Sequence, residues 1–491
     1  MKRKLNFFPL LGISLALSLI FGPGTALYAQ DLPITSASDE AKALFVKGRN
    51  LFDNLRNSEA RTTFDKCLNE DPDFALCNLY RALSSPTDEE FTRHLAKAIS
   101  KKSEVSNGER LLIDAVKANS ERKPEQAIAL LSEAISEYPN DKRLHHWLGL
   151  AYMGGDNTNQ AMAEFNRAIE IDPNFAPSYN NLGYLYRDKG DFAAAEQAFK
   201  NYIRLLPDEA NPHDSIGDLY TKMGKYDLAI EHYNKALELN PSFFFSQQKI
   251  GDNLVFKGQY EEGRKAYQKA IALAPTVSDK IALHQQMAET YLYEDNPQMA
   301  GKEYLAAIRW AEQEKLPEIA TTLYQRKALM ELEQGNATAA KSDMEASDEL
   351  AASSMLTENR KNRLWMLSQE NKALLAAQEG DFDKASAKAT KIYEQASQVN
   401  NPADMKAFHM ISGIIAYRQG DFAKAIEHLK QSEVNNPMAQ YYLALSYQRN
   451  DDPDMANSLY TKVANWNENS LEYALVRNKA RSATKIATVD N

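Results

Sequence analysis

Residues 142–175 read KRLHHWLGLAYMGGDNTNQAMAEFNRAIEIDPNF, and residues 176–209 read APSYNNLGYLYRDKGDFAAAEQAFKNYIRLLPDE. The two stretches of 34 residues agree column by column. Gly149, Gly183, Gly217 and Gly251 stand 34 residues apart, and so do Pro173, Pro207, Pro241 and Pro275. Ala161, Ala195, Ala229 and Gly263 make a third column. Phe165, Phe199, Tyr233 and Tyr267 make a fourth, and Ala168, Tyr202, Ala236 and Ala270 a fifth. Five columns in one register are an internal repeat, and a period of this length marks a stacked array. Each unit reads as two helices of about three turns, too short to be stable alone. Small residues let the backbones approach, and aromatic rings fill the space between them. Proline stops the second helix, because it lacks the N–H and clashes with the preceding turn. Asp172-Pro173-Asn174 and Asn240-Pro241-Ser242 add capping side chains. Gly190-Asp191-Phe192 supplies the turn inside a repeat.

The frame extends in both directions. Residues 41–74 and 108–141 fit it, and 75–107 fill one slot with a degenerate unit, so seven repeats occupy the segment 38–277. Beyond 277 the small-residue column continues at Ala300, Ala340, Ala385, Ala425 and Ala456, with intervals of 40, 45, 40 and 31. Gly380-Asp381-Phe382 and Gly420-Asp421-Phe422 repeat the turn seen at Gly190. These features predict about five divergent hairpins over 278–465, with long helices across 345–371. They also predict a bend or domain boundary near 277–283, a capping helix over 466–482 and a frayed end, the last two within 466–491.

The run Leu148-Gly149…Tyr152…Ala161…Phe165…Ala168…Pro173 resembles the tetratricopeptide repeat (TPR) family. That resemblance implies an all-α fold, a right-handed α-α superhelical solenoid of about twelve helical hairpins, the C-terminal ones divergent. It also implies that the first helix of each repeat lines a concave groove for a protein or peptide. Carried over position by position, the groove residues are Asn180, Asn181, Tyr184 and Arg187, then Asp214 and Asp218 with Ser215 and Thr221, then Lys249 and Asp252 with Gln248. An asparagine amide both donates and accepts, which suits an extended backbone. Asparagine does not recur in the next repeats, so there is no asparagine ladder. Arg187 and Lys249 stand among Asp214, Asp218 and Asp252, which argues against a clamp for a C-terminal carboxylate. A polar, partly basic or amphipathic segment fits better. Plain solvation of the inner face is the competing reading.

Residues 1–29 read as an export signal. Lys2-Arg3-Lys4 precede an uncharged apolar run at 7–21, then Gly22-Pro23-Gly24 and Leu27-Tyr28-Ala29, giving a mature start at Gln30 or Asp31. A spanning helix needs about 20 apolar residues, more than this run offers. The mature chain is therefore expected to be soluble, in a periplasm or secreted. It would carry 54 basic against 67 acidic side chains. Without a basic block it is a poor partner for nucleic acid. No later segment reaches membrane-spanning length.

The chain holds two cysteines, Cys67 and Cys77, too few for a disulfide framework or a four-thiolate zinc site. They lie five residues either side of Pro72. Export permits a Cys67–Cys77 disulfide, and two buried thiols are the alternative. HExxH, GxxxxGK[ST], GxSxG and paired CxxC motifs are absent. The repeats leave no stretch for a catalytic domain of about 100 residues. No catalytic residue, cofactor or metal ligand is assigned, and no oligomeric state is read. His145 and His213, in the fourth position of their repeats, read as packing residues. The favoured function is a non-catalytic scaffold or adaptor for a protein or peptide. The alternative is a small-ligand or enzyme-accessory protein with a pocket near a 278–320 bend, lined by Tyr291, Tyr293, Tyr304 and Trp310.

Overall fold

The computed structural model describes residues 31–484 except 122, 156, 400 and 401. The export signal read at 1–29 and the tail 485–491 lie outside the described residues. Within them every regular element is an α-helix. The described residues form two compact units, one up to residue 175 and one from residue 176.

In the first unit, helices pair as α1 (Asp39–Asp53) with α2 (Asn57–Glu70), and α3 (Ala75–Leu83) with α4 (Asp88–Lys101). Next come α5 (Asn107–Ser120) with α6 (Pro124–Glu137), and α7 (Lys142–Gly154) with α8 (Thr158–Ile171). The second unit continues with α9 (Ala176–Asp188) and α10 (Phe192–Leu205), α11 (Ala210–Lys222) and α12 (Tyr226–Leu239), and α13 (Phe244–Phe256) and α14 (Tyr260–Leu273). Longer hairpins follow: α15 (Val277–Tyr293) with α16 (Pro297–Gln313), α17 (Pro317–Glu333) with α18 (Ala337–Ser353), and α19 (Glu358–Gln378) with α20 (Phe382–Val399). The last are α21 (Pro402–Gln419) with α22 (Phe422–Gln431), α23 (Pro437–Arg449) with α24 (Pro453–Ala464), and the single helix α25 (Leu471–Thr484).

Local chemistry sets the ends. Ser106 and Glu109 form a capping box at α5. Asp141 caps α7, accepting from the N–H groups of Arg143 and Leu144 at 2.8 and 3.2 Å. The turn inside a hairpin takes a left-handed residue: Gly190 has φ +80°, Gly380 +81° and Gly420 +86°. Leu55, Asp295 and Asp451 adopt the same conformation with a side chain, at a cost of about 1–2 kcal/mol each.

One contact recurs in register with the repeat. A Cβ added to Gly48, Gly149, Gly183, Gly217 or Gly251 would lie 2.5–2.6 Å from a ring carbon of Phe64, Phe165, Phe199, Tyr233 or Tyr267, sixteen residues on in each case. The first helix therefore presses bare backbone against an aromatic face of the second. Gly413 makes the same approach to Leu429, at 2.5 Å. The pairs Ala288 and Tyr304, Ala328 and Met344, and Ala444 and Tyr460 are buried at the same interval. The alanines read from sequence as a continuing column, Ala300, Ala340, Ala385, Ala425 and Ala456, are all buried.

The compact units divide at 175–176, and α14 packs on α15 like other successive helices. The long helices expected across 345–371 are α18 and α19, parted at 354–357, where Ser353 and Ser354 turn their hydroxyls onto carbonyls of the preceding turn. The last helix starts at Leu471 rather than 466, and it does more than cover an end. It packs on α15, α17, α23 and α24, and Arg477 reaches the Phe256 carbonyl at 3.1 Å and the Tyr260 hydroxyl at 3.0 Å. Arg477 is fully buried, with the rings of Tyr293 and Tyr473 at 5.0 and 6.0 Å. Carbonyl, phenol and ring faces thus hold a guanidinium that stays charged. In the first unit the extended segment 31–37 also folds inward. The Leu32 N–H donates to Asp141 at 2.8 Å, and Thr35 donates twice to Glu109.

The sulfur atoms of Cys67 on α2 and Cys77 on α3 lie 2.32 Å apart, with Cα atoms 6.8 Å apart and both side chains buried.

Two predictions follow from this packing. Gly183→Ala should destabilise the second unit by about 1–3 kcal/mol through overpacking, although alanine is the better helix former by about 1 kcal/mol. Gly301, with nothing nearer than 3.7 Å, should gain up to about 1 kcal/mol from the same change. Urea melts of both variants check this; equal signs would refute it. We also propose that Cys67 and Cys77 are oxidised to a disulfide. Alkylation under denaturing, non-reducing conditions should then add no mass, whereas two labelled thiols would exclude the bond.

Candidate functional site

Within the second unit the odd-numbered helices of successive hairpins approach one another: α9 and α11, α17 and α19, α19 and α21, α21 and α23. They form the inner wall, and the groove residues read from sequence lie on it. Gly217 and Gly251 are each followed by an aspartate, and the ring packed on each glycine is a tyrosine. Its hydroxyl therefore emerges beside that aspartate. Tyr233 donates to Asp218 at 2.8 Å and Tyr267 to Asp252 at 2.6 Å.

These pairs belong to a larger network. The Lys249 ammonium donates to Asp214 and Asp218, each at 2.7 Å. Asp214 also accepts from Ser246 at 2.8 Å. The Tyr184 hydroxyl donates to Asp218 at 3.1 Å, and the Ser215 hydroxyl lies 3.2 Å from it. Asn253 donates to the Thr221 hydroxyl at 2.9 Å. Burial pushes the Asp214 carboxyl up; Lys249 opposes the shift and Asp218 adds to it. Burial works against the Lys249 ammonium, yet Asp214 and Asp218 outweigh it and hold its pKa above the ordinary value.

Not every residue read from sequence joins the network. Asn181 donates to the Pro177 carbonyl of its own helix at 3.2 Å. The side-chain oxygen of Asn180 is buried and finds no hydrogen-bond partner among the described residues. Arg187 lies over the Tyr184 ring at 4.8 Å and pairs with Asp188 at 2.8 Å.

The loop between α24 and α25 enters the same site. Asn469 donates to Asp252 at 2.9 Å and to the Tyr267 hydroxyl at 3.0 Å, and it accepts from Tyr293 at 2.8 Å. Asn467 accepts from Tyr226 and donates to the Lys222 carbonyl. Between this loop and α11–α13 lies a cavity of about 430 Å³. Arg187, Lys222 and Lys249 bring cations to its lining, Asp218, Asp252 and Glu468 bring carboxylates, and Gln248, Asn253 and Gln286 bring amides. The Gln286 side-chain oxygen is also buried without a partner. Asp252 is pushed up to about 6, chiefly by burial, against the hydrogen bonds from Tyr267 and Asn469. The sequence reading missed Asn467–Asn469, because nothing local marks a loop that packs more than 200 residues upstream. Tyrosine in place of phenylalanine at 233 and 267 was the available signal for the hydroxyls.

The four aromatics of the alternative pocket are each engaged elsewhere. Tyr293 and Tyr304 are buried and bonded to Asn469 and Glu289. Tyr291 stacks under Arg264, and Trp310 meets His284 edge to face. Three histidines fill one recurring slot, each pairing with the residue nineteen positions on. His145 faces Glu164 at 2.6 Å, His213 faces His232 at 3.0 Å, and His409 faces His428 at 3.1 Å. Among the described residues no group of three or more His, Cys, Asp or Glu side chains could hold a metal ion.

The fold and site define a solenoid of helical hairpins with a polar inner wall. Tetratricopeptide repeat models match residues 118–183, 176–209, 215–243, 246–277, 370–439 and 412–464. The chain belongs to the tetratricopeptide repeat family. Three solved structures similar to it share the repeat. One is MamA protein, 26% identical over 34% of this chain and 91% of that one, with a TM-score of 0.31. The second is a tetratricopeptide repeat protein from Parabacteroides merdae, 17% identical over 53% and 98%, TM-score 0.39. The third is YrrB, described as a TPR protein with an unusual peptide-binding site, 20% identical over 38% and 94%, TM-score 0.29. No curated protein sequence matches the chain. Among the described residues no helix is long and apolar enough to cross a membrane.

A pH prediction follows from Asp252. Its folded value lies above the ordinary 3.8, so between these values the folded chain keeps a proton that the unfolded chain has shed. Stability from this group is full below about pH 4 and is lost as pH rises through about 6. Asp252→Asn, whose amide oxygen can still accept from Tyr267 and Asn469, should stabilise the fold by about 1–3 kcal/mol at pH 8 and by little at pH 4.5. Urea melts at both pH values measure the difference; an equal effect at both would show that the carboxyl does not titrate as described.

Proposed function

We propose that the chain is an exported, non-catalytic adaptor that binds an extended segment of a protein partner on the inner wall of its second unit. The carrying observation is the 430 Å³ cavity beside Asn467–Asn469, where the amides of Gln248 and Gln286 can read a peptide backbone. The unpartnered oxygens of Asn180 and Gln286 are acceptors that peptide N–H groups would satisfy. Lys222 at the cavity favours a partner segment with some acidic or polar character, while Arg187 is paired with Asp188 and Lys249 is committed to Asp214 and Asp218. Export rests on the basic, then apolar, then small-residue order of residues 1–29. The non-catalytic reading rests on the missing catalytic motifs and on repeats filling the chain.

The test places a photo-crosslinking residue at Gln248 on the inner wall and, separately, at the exposed Lys66 on α2. In cells that express the chain, a partner adduct should form from position 248 and not from 66. Asn180→Ala should weaken that adduct several-fold at unchanged helicity. Adducts from position 66 alone would move the binding surface elsewhere. Mass spectrometry of the same preparation should find a mature start at Gln30 or Asp31, and retention of Met1 would end the export reading.

A further inference from the structure

A second cavity, of about 210 Å³, opens between α18, α19 and α20. Four lysines line it: Lys341 from α18, Lys372 from α19, and Lys384 and Lys388 from α20. Its floor is apolar, made by Met344, Leu375 and Ala376. Lys372 is paired with Asp348. Lys341, Lys384 and Lys388 make no ion pair among the described residues, and Glu345 is the one carboxylate in the lining. On α20, Lys384, Lys388 and Lys391 follow one another at i, i+4 and i+7, so they share a helix face. Like charges at that spacing repel one another and disfavour the helix. Burial and the neighbouring Lys372, Lys391 and Lys384 all depress the Lys388 ammonium, with Asp348 opposing. A chain of net charge -10 thus gathers unpaired ammonium groups around one recess.

We propose that this recess binds a phosphorylated organic group, with its oxyanion held by Lys341, Lys384 and Lys388 and its carbon body seated on Met344, Leu375 and Ala376. A bare oxyanion would leave the apolar floor unused. The volume is also far above the ~15 Å³ that one water needs, which leaves room for the body that carries the phosphate. Lysine suits this role as a mobile point charge that does not demand a fixed bidentate geometry. The site is separate from the inner-wall cavity and does not rest on the adaptor reading.

The test is isothermal titration of the mature full-length chain, at low ionic strength, with phenyl phosphate, inorganic phosphate and a hexaglutamate peptide as probes. Phenyl phosphate should bind at least several-fold more tightly than inorganic phosphate, and raising the salt should weaken it. Lys384→Gln with Lys388→Gln should weaken phenyl phosphate tenfold or more, while Lys66→Gln on α2 of the first unit changes nothing. Circular dichroism should show both variants as helical as the parent. The proposal is overturned if no probe binds, if inorganic phosphate binds as well as phenyl phosphate, if hexaglutamate binds best, or if the double variant retains its affinity.

Discussion

The structure depends on a single steric constraint repeated along the chain: a backbone without a side chain pressed onto a ring sixteen residues later. At Gly149, Gly183, Gly217 and Gly251 even a methyl group would enter the ring. The hairpin angle is thereby set by contact rather than by the turn, and neighbouring hairpins inherit the same geometry. Short helices that could not persist alone are held by the hairpins beside them within each unit. The same constraint builds the site. Where the ring is Phe165 or Phe199 the contact is purely apolar. Where it is Tyr233 or Tyr267 the hydroxyl passes the glycine and meets Asp218 or Asp252. One added oxygen converts a packing position into a strut for the inner wall.

A second constraint acts on the second unit alone. A solenoid with open ends would leave each terminal face exposed. Here α25 turns back onto α15, α17 and α23, and Arg477 and Asn469 tie it to residues more than 200 positions earlier. Arg477 has no carboxylate partner among the described residues. Its charge is spread over two tyrosine rings, a phenol and a carbonyl, an arrangement that demands those groups in place together. Helices 176 onward thus close on one another as a unit.

Sequence periodicity made the fold legible because each column has a single steric cause. Glycine, alanine and proline positions could be read without knowing their neighbours in space. Asp218 and Asp252 were legible in the site, since they follow the glycines on a helix whose inner face the repeat defines. The pairing of Lys249 with Asp214 and Asp218 was not, because it joins residues that share a face only after stacking. Gly413 was missed for a related reason: its partner is Leu429, and an aliphatic partner does not announce the contact. Asn467–Asn469 sit in a short polar run whose local chemistry says only loop. Their place beside Asp252 follows from the return of α25, which no local pattern encodes.

The inner wall and the lysine recess handle charge in opposite ways. On the wall, Lys249 answers two aspartates and Asp252 is eased toward neutrality by burial. A charged partner would have to break an ion pair that is partly shielded from water, leaving an uncompensated buried carboxylate at a cost of about 3–5 kcal/mol. The amides of Asn180 and Gln286 ask for no such exchange, since their oxygens are unpaired already. Recognition on the wall is therefore carried more cheaply by neutral hydrogen bonds than by charge. In the recess between α18 and α20 the ammonium groups repel one another, and an arriving anion relieves that repulsion as it binds. The two surfaces differ in whether their charges are satisfied before a ligand arrives, and that difference decides what each can select.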